Sequence, residues 1–297
     1  MELCLGTVQF GMDYGVFNMP KKDPEYCISC LDYATQNGIN AIDTATAYGM
    51  AEEITGRFLA KKSMPREKLY ISTKLLPNIL DDCIKDEYEN VIRNNLKKSL
   101  SILHTDYVDT YYFHSSRYAF QPELLEALSV VQKEGLAKNV GVSVYYPDEA
   151  IACFKNKNVS CLQVPYSIFD HRMKDLDVFN KGIESKFNID VRTVFVKGLI
   201  RLKEDQVPGH LVKAKPILNK LDRLCDETGY SRIDLAMGYV RRESAISHLV
   251  FGIRTLEQLK EDISSFNKDI PEEVFDEIDK EFSDISAELV VPSLWVR

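Results

Sequence analysis

Short β-branched runs alternate eight times with segments of helical periodicity, and this alternation constrains the fold more than any other feature of the chain. The predicted strands are Leu3–Thr7, Ala41–Asp43 (with Ile39 leading in), Leu69–Lys74, Val108–His114, Val140–Ser143, Cys161–Val164, Val191–Phe195 and His248–Gly252. The predicted helices include Tyr88–Leu103, Pro122–Glu134, Ile217–Glu227, Leu256–Phe266 and Glu272–Phe282. Eight such repeats without a Pro- or Ser-rich linker favour one closed parallel (β/α)8 TIM barrel, an α/β fold in a single domain over residues 1–297.

A doubly wound parallel sheet would show the same alternation of strands and helices. The dinucleotide fingerprint typical of that fold, G-x-G-x-x-G after the first strand, does not match Leu5-Gly6-Thr7-Val8-Gln9-Phe10-Gly11. The barrel is therefore the favoured interpretation.

The composition is that of an ordinary globular protein, with 45% hydrophobic and 28% charged residues. A formal net charge of −8 argues against nucleic acid or an anionic membrane as the main partner, because both attract a basic face. The first residues lack the pattern of a signal peptide, and no window reaches the roughly 18 apolar residues of a membrane span. We expect a cytoplasmic protein, either a monomer or a small homo-oligomer.

Seven cysteines are scattered along the chain, and their odd number does not suggest a disulfide framework. The one close pair is Cys27-x-x-Cys30, which could be a redox motif, half of a zinc site or two core residues. Because no second Cys/His pair follows at ligand spacing and the segment has helical character, the sequence favours reduced core cysteines and no metal.

Four polar residues fall where predicted strands end, and the carboxyl ends of barrel strands are where functional side chains collect. Asp43 ends the second strand, Tyr48 lies in the following loop, Lys74 ends the third strand and His114 ends the fourth. Singly they could be a helix cap, one of 15 tyrosines, a solvated strand end and a core histidine. Their common placement at one rim favours a joint chemical role. The other histidines lack an evident partner and are interpreted as structural or exposed: His104, His171, His210 and His248.

These four residue types suit proton delivery to a carbonyl group. A phenol is a weak acid at neutral pH, and the ammonium of Lys74 would lower the pKa of Tyr48 toward the working range. Asp43 would keep Lys74 charged, and His114 would hydrogen-bond the carbonyl oxygen. The hydride that completes a reduction must come from a cofactor.

The chain resembles the aldo-keto reductase superfamily, as a divergent bacterial-type branch. The resemblance rests on six motifs that occur in order along nearly the entire chain: Asp43-Thr44-Ala45-x-x-Tyr48-Gly49, Ser72-Thr73-Lys74, Phe113-His114, Gly141-Val142-Ser143, Gln163-Val164-Pro165-Tyr166-Ser167, and Phe251-Gly252-Ile253-Arg254 with Gln258. It implies a (β/α)8 barrel that binds NADP(H), with Asp43, Tyr48, Lys74 and His114 as the catalytic tetrad and Tyr48 as general acid.

The resemblance also implies where the cofactor binds. Ser143 and Gln163 match the positions that hold the nicotinamide carboxamide, and Arg254 matches the position that grips the 2′-phosphate, which favours NADP(H) over NAD(H). The remaining expected cofactor residues follow the seventh and eighth strands: Arg192, Thr193, Phe195, Gly198, Gln258 and Asp262.

Three positions depart from the family pattern. Arg192 stands where many members have a tyrosine that stacks on the nicotinamide, although a guanidinium plane can also stack on a ring. Val144 and Asp262 each stand where asparagine is usual, and the carboxylate of Asp262 would repel a phosphate that approached it.

The substrate is expected to be a small carbonyl compound, an aldehyde or ketone of sugar or polyol type. The candidate pocket residues lie in loops after the first, fourth and fifth strands: Tyr14, Phe17, Ser115, Arg117 and Tyr145. The tail 284–297, with the single tryptophan Trp295, is a candidate cover for the rim of the site. The alternatives are an NADP(H)-binding regulatory or interaction subunit with little turnover, and an internal redox step such as epimerisation.

Overall fold

A closed barrel of eight parallel strands forms the centre of the protein. The computed structural model describes residues 1–16 and 22–295. The strands are β1 Glu2–Gly6, β2 Ala41–Asp43, β3 Tyr70–Leu75, β4 Val108–Phe113, β5 Ala137–Ser143, β6 Cys161–Pro165, β7 Asn188–Arg192 and β8 Ile246–Gly252. They pair in chain order, and β8 closes onto β1, where Cys4 lies opposite both Ala41 and Val250. The predicted single-domain (β/α)8 fold is confirmed.

Helices surround the barrel. The α-helices of the described ranges are α1 Val8–Gly11, α2 Pro24–Gln36, α3 Ala51–Ala60, α4 Tyr88–Leu103, α5 Pro122–Lys133, α6 Pro147–Phe154, α7 Arg172–Asp175, α8 Val178–Glu184, α9 Lys215–Thr228, α10 Arg232–Arg241, α11 Leu256–Phe266, α12 Glu272–Glu281 and α13 Ala287–Val290. Short 3-10 helices span Arg66–Lys68, Lys85–Glu87, Ser116–Phe120, Val196–Arg201, Glu204–Gln206, Gly209–Ala214 and Pro292–Leu294. No helix within these ranges has the length and apolar surface needed to span a bilayer.

Helix starts and buried faces follow from local sequence signals. Asp23 caps α2 by accepting a hydrogen bond from the Glu25 backbone amide, and Pro24 occupies the first turn, where its missing N–H costs nothing. On α4, Ile92, Leu96 and Leu100 recur every fourth residue and are buried against the barrel. The Thr255 hydroxyl caps α11 by accepting from the Gln258 backbone amide, and both α4 and α11 begin and end at the predicted residues.

The seventh strand differs from its prediction. It spans Asn188–Arg192 instead of Val191–Phe195, because the chain leaves the sheet at Thr193, whose φ is +70°. Val194 and Phe195 are buried in the following loop, so their apolar character does not mark a strand. The actual strand contains Asp190, a buried polar residue that the apolar pattern gave no reason to include.

Candidate active site

Asp43 and Lys74 form a buried ion pair at the carboxyl ends of β2 and β3. Asp43 pairs with Ser72 in the sheet, and Lys74 lies two residues beyond Ser72, on the same face of β3. The Lys74 ammonium donates to both Asp43 carboxylate oxygens at 2.6 Å and to the Thr44 carbonyl oxygen at 3.0 Å. Three acceptors therefore match the three protons of the ammonium.

The Asp43 carboxylate also connects β3 and β6. Its Oδ1 accepts hydrogen bonds from the Ser72 hydroxyl and from Gln163 Nε2, both at 2.8 Å. Gln163 lies opposite Ser143 in the sheet, and the Ser143 hydroxyl donates to Gln163 Oε1 at 3.4 Å. This places the two expected carboxamide ligands in the same hydrogen-bond network as the ion pair.

Tyr48 is held in a tight loop between β2 and α3. Its backbone amide donates to the Ala45 carbonyl at 2.9 Å, and the next residue, Gly49, has a φ of +58° and packs closely against Gly11. A side chain at Gly49 would collide with the Gly11 carbonyl. The Tyr48 ring lies 5.1 Å from Lys74 Nζ and makes an edge contact with His114 at 5.6 Å between centroids. The structure thus brings all four predicted rim residues together.

The electrostatics of Tyr48 differ from the expectation. Burial raises the pKa of its phenol, and the charge of Asp43 raises it further. The cation that lowers the pKa of Tyr48 is Arg192, whereas the charge of Lys74 is balanced by Asp43. The Tyr48 phenol is consequently fully protonated at neutral pH, so it carries the proton that an acid must donate. Its phenolate form is disfavoured in this site.

His114 follows directly on β4 and is neutral. Burial lowers its pKa to about 3, with further lowering by the charges of Lys74 and Arg192. Its Nδ1 is buried and has no hydrogen-bond partner among the described residues. A neutral imidazole offers one N–H donor and one acceptor, so His114 can donate to a carbonyl oxygen without delivering a full charge.

A cleft of about 820 Å³ of empty space opens next to Tyr48. It runs from the tetrad across the ends of β7 and β8. The lining residues are Gly6, Val8, Gln9, Tyr14, Asp43, Tyr48, Gln163, Arg192, Thr193, Val194, Phe195, Lys197, Gly198, Arg201, Val250, Phe251, Gly252, Arg254 and Gln258. The expected cofactor residues are among them except Ser143, which contacts the lining residues Gln163 and Arg192, and Asp262.

The end of the cleft away from the tetrad is cationic. Lys197, Arg201 and Arg254 all line it, and Arg254 donates to the Tyr14 carbonyl oxygen at 3.1 Å. Arg201 was not among the cofactor residues expected from the sequence. The feature that could have indicated it is its place in the segment after β7, where other cofactor residues were expected. Three cations and the amides of a loop with left-handed residues suit phosphate groups.

Asp262 does not line the cleft. Its buried carboxylate is paired with the guanidinium of Arg201, and Arg201 is the residue that lines the cleft. Arg201 also pairs with Glu261 at 2.6 Å and lies over the Phe195 ring at 4.3 Å from its centroid. Burial raises the pKa of Asp262 to about 7, although Arg201 opposes that shift. The expected repulsion between Asp262 and a phosphate is therefore screened by Arg201.

The expected substrate residues are distributed unevenly. Tyr14 lines the cleft, and the Tyr145 ring lies under the Arg192 guanidinium. Ser115 and Arg117 lie outside the lining, since Ser115 is hydrogen-bonded to Asn78 and Arg117 is paired with Asp81. Phe17 lies outside the described residues.

The tail comes close to the cationic end. Lys197 Nζ lies 5.8 Å from the Trp295 ring centroid and 4.8 Å from that of Tyr14. The Trp295 indole N–H donates to the Leu289 carbonyl at 3.2 Å, which ties the tail to α13.

Comparison with known proteins settles the family. The model of the aldo/keto reductase family matches residues 2–281. The chain belongs to this family. A Bacillus subtilis protein described as the uncharacterized oxidoreductase YqkF is 28% identical over 257 residues, which cover 81% of this chain and 82% of that protein. A methylglyoxal reductase of Escherichia coli described as NADH-specific is 26% identical, over 82% of this chain and 84% of its own length.

A solved structure shows the same fold. The holo form of an aldo-keto reductase from Bacillus halodurans superposes with a TM-score of 0.77 at 22% identity, covering 94% of this chain and 91% of that one. The resemblance drawn from the six motifs is confirmed. As a member of the family, the protein is an oxidoreductase that works with a nicotinamide cofactor and small carbonyl substrates.

Proposed function

We propose that this protein reduces an aldehyde or ketone to an alcohol with NADPH, and that Tyr48 donates the proton. The supporting observation is the cleft itself. Its tetrad end contains a protonated phenol in contact with a neutral imidazole, and its other end contains three cationic side chains. A cleft with a proton donor at one end and a phosphate-binding groove at the other suits a dinucleotide-dependent reduction.

Each residue of the tetrad has a separate role in the proposed reaction. His114 donates a hydrogen bond to the carbonyl oxygen and orients it, and Tyr48 transfers its proton to that oxygen as negative charge develops there. Asp43 and Lys74 fix each other and the loop of Tyr48: the Thr46 hydroxyl, two residues before Tyr48, donates to the Lys74 carbonyl oxygen at 3.0 Å. The cofactor, when bound, supplies the hydride to the carbonyl carbon.

The donor set of the cleft fits a nicotinamide dinucleotide. Ser143 and Gln163 offer a hydroxyl and an amide, which can pair with the carboxamide of the nicotinamide end. Lys197, Arg201, Arg254 and Gln258 would hold the phosphates and the adenosine. A 2′-phosphate carries up to two negative charges, so the Arg254 guanidinium and the Lys197 ammonium at this end favour NADPH over NADH, whereas the charge of Arg201 is shared with Glu261 and Asp262.

The substrate class follows from the walls near Tyr48. Tyr14 offers an aromatic face with a polar tip, and Arg192, which lies over the Tyr145 ring, and Thr193 offer further hydrogen-bond donors. Mixed aromatic and polar walls suit a sugar or polyol-type carbonyl better than a purely apolar ketone.

The test is a binding titration with NADPH and with NADH, followed by a panel of methylglyoxal, aldoses and keto sugars. We expect tighter binding of NADPH and loss of its absorbance with at least one sugar-type carbonyl. Tight NADPH binding without oxidation, and no difference between the wild type and Tyr48→Phe, would instead identify a regulatory subunit. Interconversion of epimers without net NADPH consumption would identify an internal redox step.

A further inference from the structure

Arg192 is mounted rigidly at the end of β7. Its guanidinium donates to the Val144 carbonyl oxygen at 2.8 Å, to the Thr193 hydroxyl at 3.1 Å and to the Ser143 hydroxyl at 3.3 Å. Its fourth contact is the Tyr145 ring, 4.4 Å away from guanidinium carbon to centroid. Contacts in several directions leave this side chain little freedom to move its charge out of the cleft.

The partners of Arg192 are all uncharged. Within residues 1–16 and 22–295, no carboxylate lies within ion-pair distance of it, while the nearby Asp43 is already neutralised by Lys74 at 2.6 Å. Arg192 is half-buried and lines the cleft. A full positive charge without a counter-ion therefore faces the space next to Tyr48.

This charge acts on the reacting groups. It lowers the pKa of Tyr48 and that of His114, which places both groups within its electrostatic reach. A nicotinamide that gives a hydride to a carbonyl protonated by Tyr48 must lie within the same space. The contact from Arg192 to Ser143 points to the same end of the cleft.

We propose that Arg192 makes this protein select the reduced over the oxidised form of its cofactor. The inference rests on the proposed function, in which the nicotinamide end lies at Tyr48, Ser143 and Gln163. The reduced nicotinamide ring is neutral, whereas the oxidised ring carries one positive charge. A fixed guanidinium beside it repels only the oxidised form, since the phosphates and the adenosine are the same in both.

The difference in affinity between the two cofactor forms favours release of the oxidised cofactor after each reduction. Reduction of the carbonyl consumes NADPH and one proton and yields the alcohol and NADP⁺. The product cofactor is thus the form that Arg192 disfavours. It leaves the site more readily than the reduced cofactor that replaces it.

The experiment measures the dissociation constants of NADPH and NADP⁺ for the wild type and for Arg192→Gln, Arg192→Met and Arg192→Lys. Arg117→Gln, on an exposed arginine paired with Asp81, is the matched control. We expect NADPH to bind the wild type at least about tenfold more tightly than NADP⁺. This is the order of the repulsion between two unit charges a few ångströms apart in a partly solvated site. Both neutral variants should reduce that ratio by about tenfold. Arg192→Lys, which retains the charge, and the control should leave it within about threefold of the wild type.

The ratio separates charge from packing. An equal loss of affinity for both forms in Arg192→Gln and Arg192→Met, with the ratio unchanged, would overturn the proposal and leave Arg192 as a structural support. The titration requires no turnover. A protein that reduces no carbonyl but shows the changed ratio contradicts the proposed function alone, and an active protein with an unchanged ratio contradicts this inference alone.

Discussion

Lys74 directs its ammonium group at both carboxylate oxygens of Asp43, with Nζ–O distances of 2.6 Å. The side chains are 1% and 5% exposed, so each charge depends on the other for its stability in the barrel. Such a pair contributes little net stability compared with well-packed apolar residues, but loss of one partner leaves the other charge buried and uncompensated. The pair is therefore more sensitive to a single substitution than to the removal of both charges.

We predict that Lys74→Met lowers the free energy of unfolding by about 3 kcal/mol, the usual cost of breaking a buried ion pair. The double variant Asp43→Asn/Lys74→Met should lose less than the sum of the two single variants. Urea unfolding of all three proteins measures this coupling, with Lys98→Met on the exposed face of α4 as the control. Strictly additive losses would mean that the two charges do not stabilise each other.

Tyr48→Phe should remove the proton donor and leave the ring in place. We expect kcat to fall by about 100-fold or more, because positioned proton transfer contributes roughly 10²–10⁴-fold. The dissociation constant of NADPH should change by less than about threefold, since the hydroxyl makes no hydrogen bond to another described residue. Steady-state kinetics and a cofactor titration check this, with Tyr33→Phe on α2 as control. A kcat equal to that of the wild type would show that Tyr48 is not the acid.

His114 should make stability depend on pH in the acid range. Its pKa in the folded protein is about 3, below the ordinary value of about 6.5, so the unfolded chain binds the extra proton as the pH falls below 6.5. Stability is therefore lost on acidification. Between pH 7 and pH 5 the wild type should lose about 2 kcal/mol relative to His114→Gln, a neutral variant that cannot titrate. Urea unfolding at both pH values measures the difference, and parallel pH curves for the two proteins would contradict the prediction.

Arg201 and Asp262 should be coupled in the same way as the tetrad pair. Asp262 is fully buried, and its Oδ2 has no hydrogen-bond partner among the described residues. Arg201→Ala should therefore destabilise the protein by about 2–3 kcal/mol, while Arg201→Ala/Asp262→Ala should recover part of the loss. A thermodynamic double-mutant cycle measures the coupling, and a double variant as unstable as the sum of the singles would contradict it.

The barrel and the rim of the site were predictable because both depend on local sequence patterns, namely the alternation of strand and helix segments and the polar residues at strand ends. Asp43 and Lys74 lie at the carboxyl ends of apolar runs, and the carboxyl ends of neighbouring parallel strands meet at one rim of a barrel. The ion pair of Arg201 with Asp262 was not predictable, because it joins a loop after β7 to the helix α11 and depends on tertiary packing. The same reason hid the partner of His248, which was expected to have none.

His248 pairs with Asp190 inside the barrel, remote in sequence and away from the cleft. Its Nδ1 lies 2.7 Å from Asp190 Oδ1, while the Tyr112 hydroxyl donates to Oδ2 at 2.8 Å and the Tyr70 ring stacks on the imidazole at 4.1 Å. Burial lowers the pKa of His248, but the hydrogen bond and charge of Asp190 raise it more, so the net shift is upward. The folded state thus holds the proton more tightly than the unfolded chain.

This upward shift predicts a loss of stability in the alkaline direction. The stabilisation from protonated His248 is fully present below pH 6.5 and disappears as the pH rises through the higher pKa of the folded state. The free energy of unfolding of the wild type, taken relative to that of His248→Gln, should therefore decrease between pH 6 and pH 9. His104→Asn is the matched control, because His104 is exposed and has a φ of +52°, which asparagine tolerates. A difference between wild type and His248→Gln that stays constant over this range would show that folding does not shift the pKa of His248, and a difference that increases with pH would show that His248 is neutral in the folded protein.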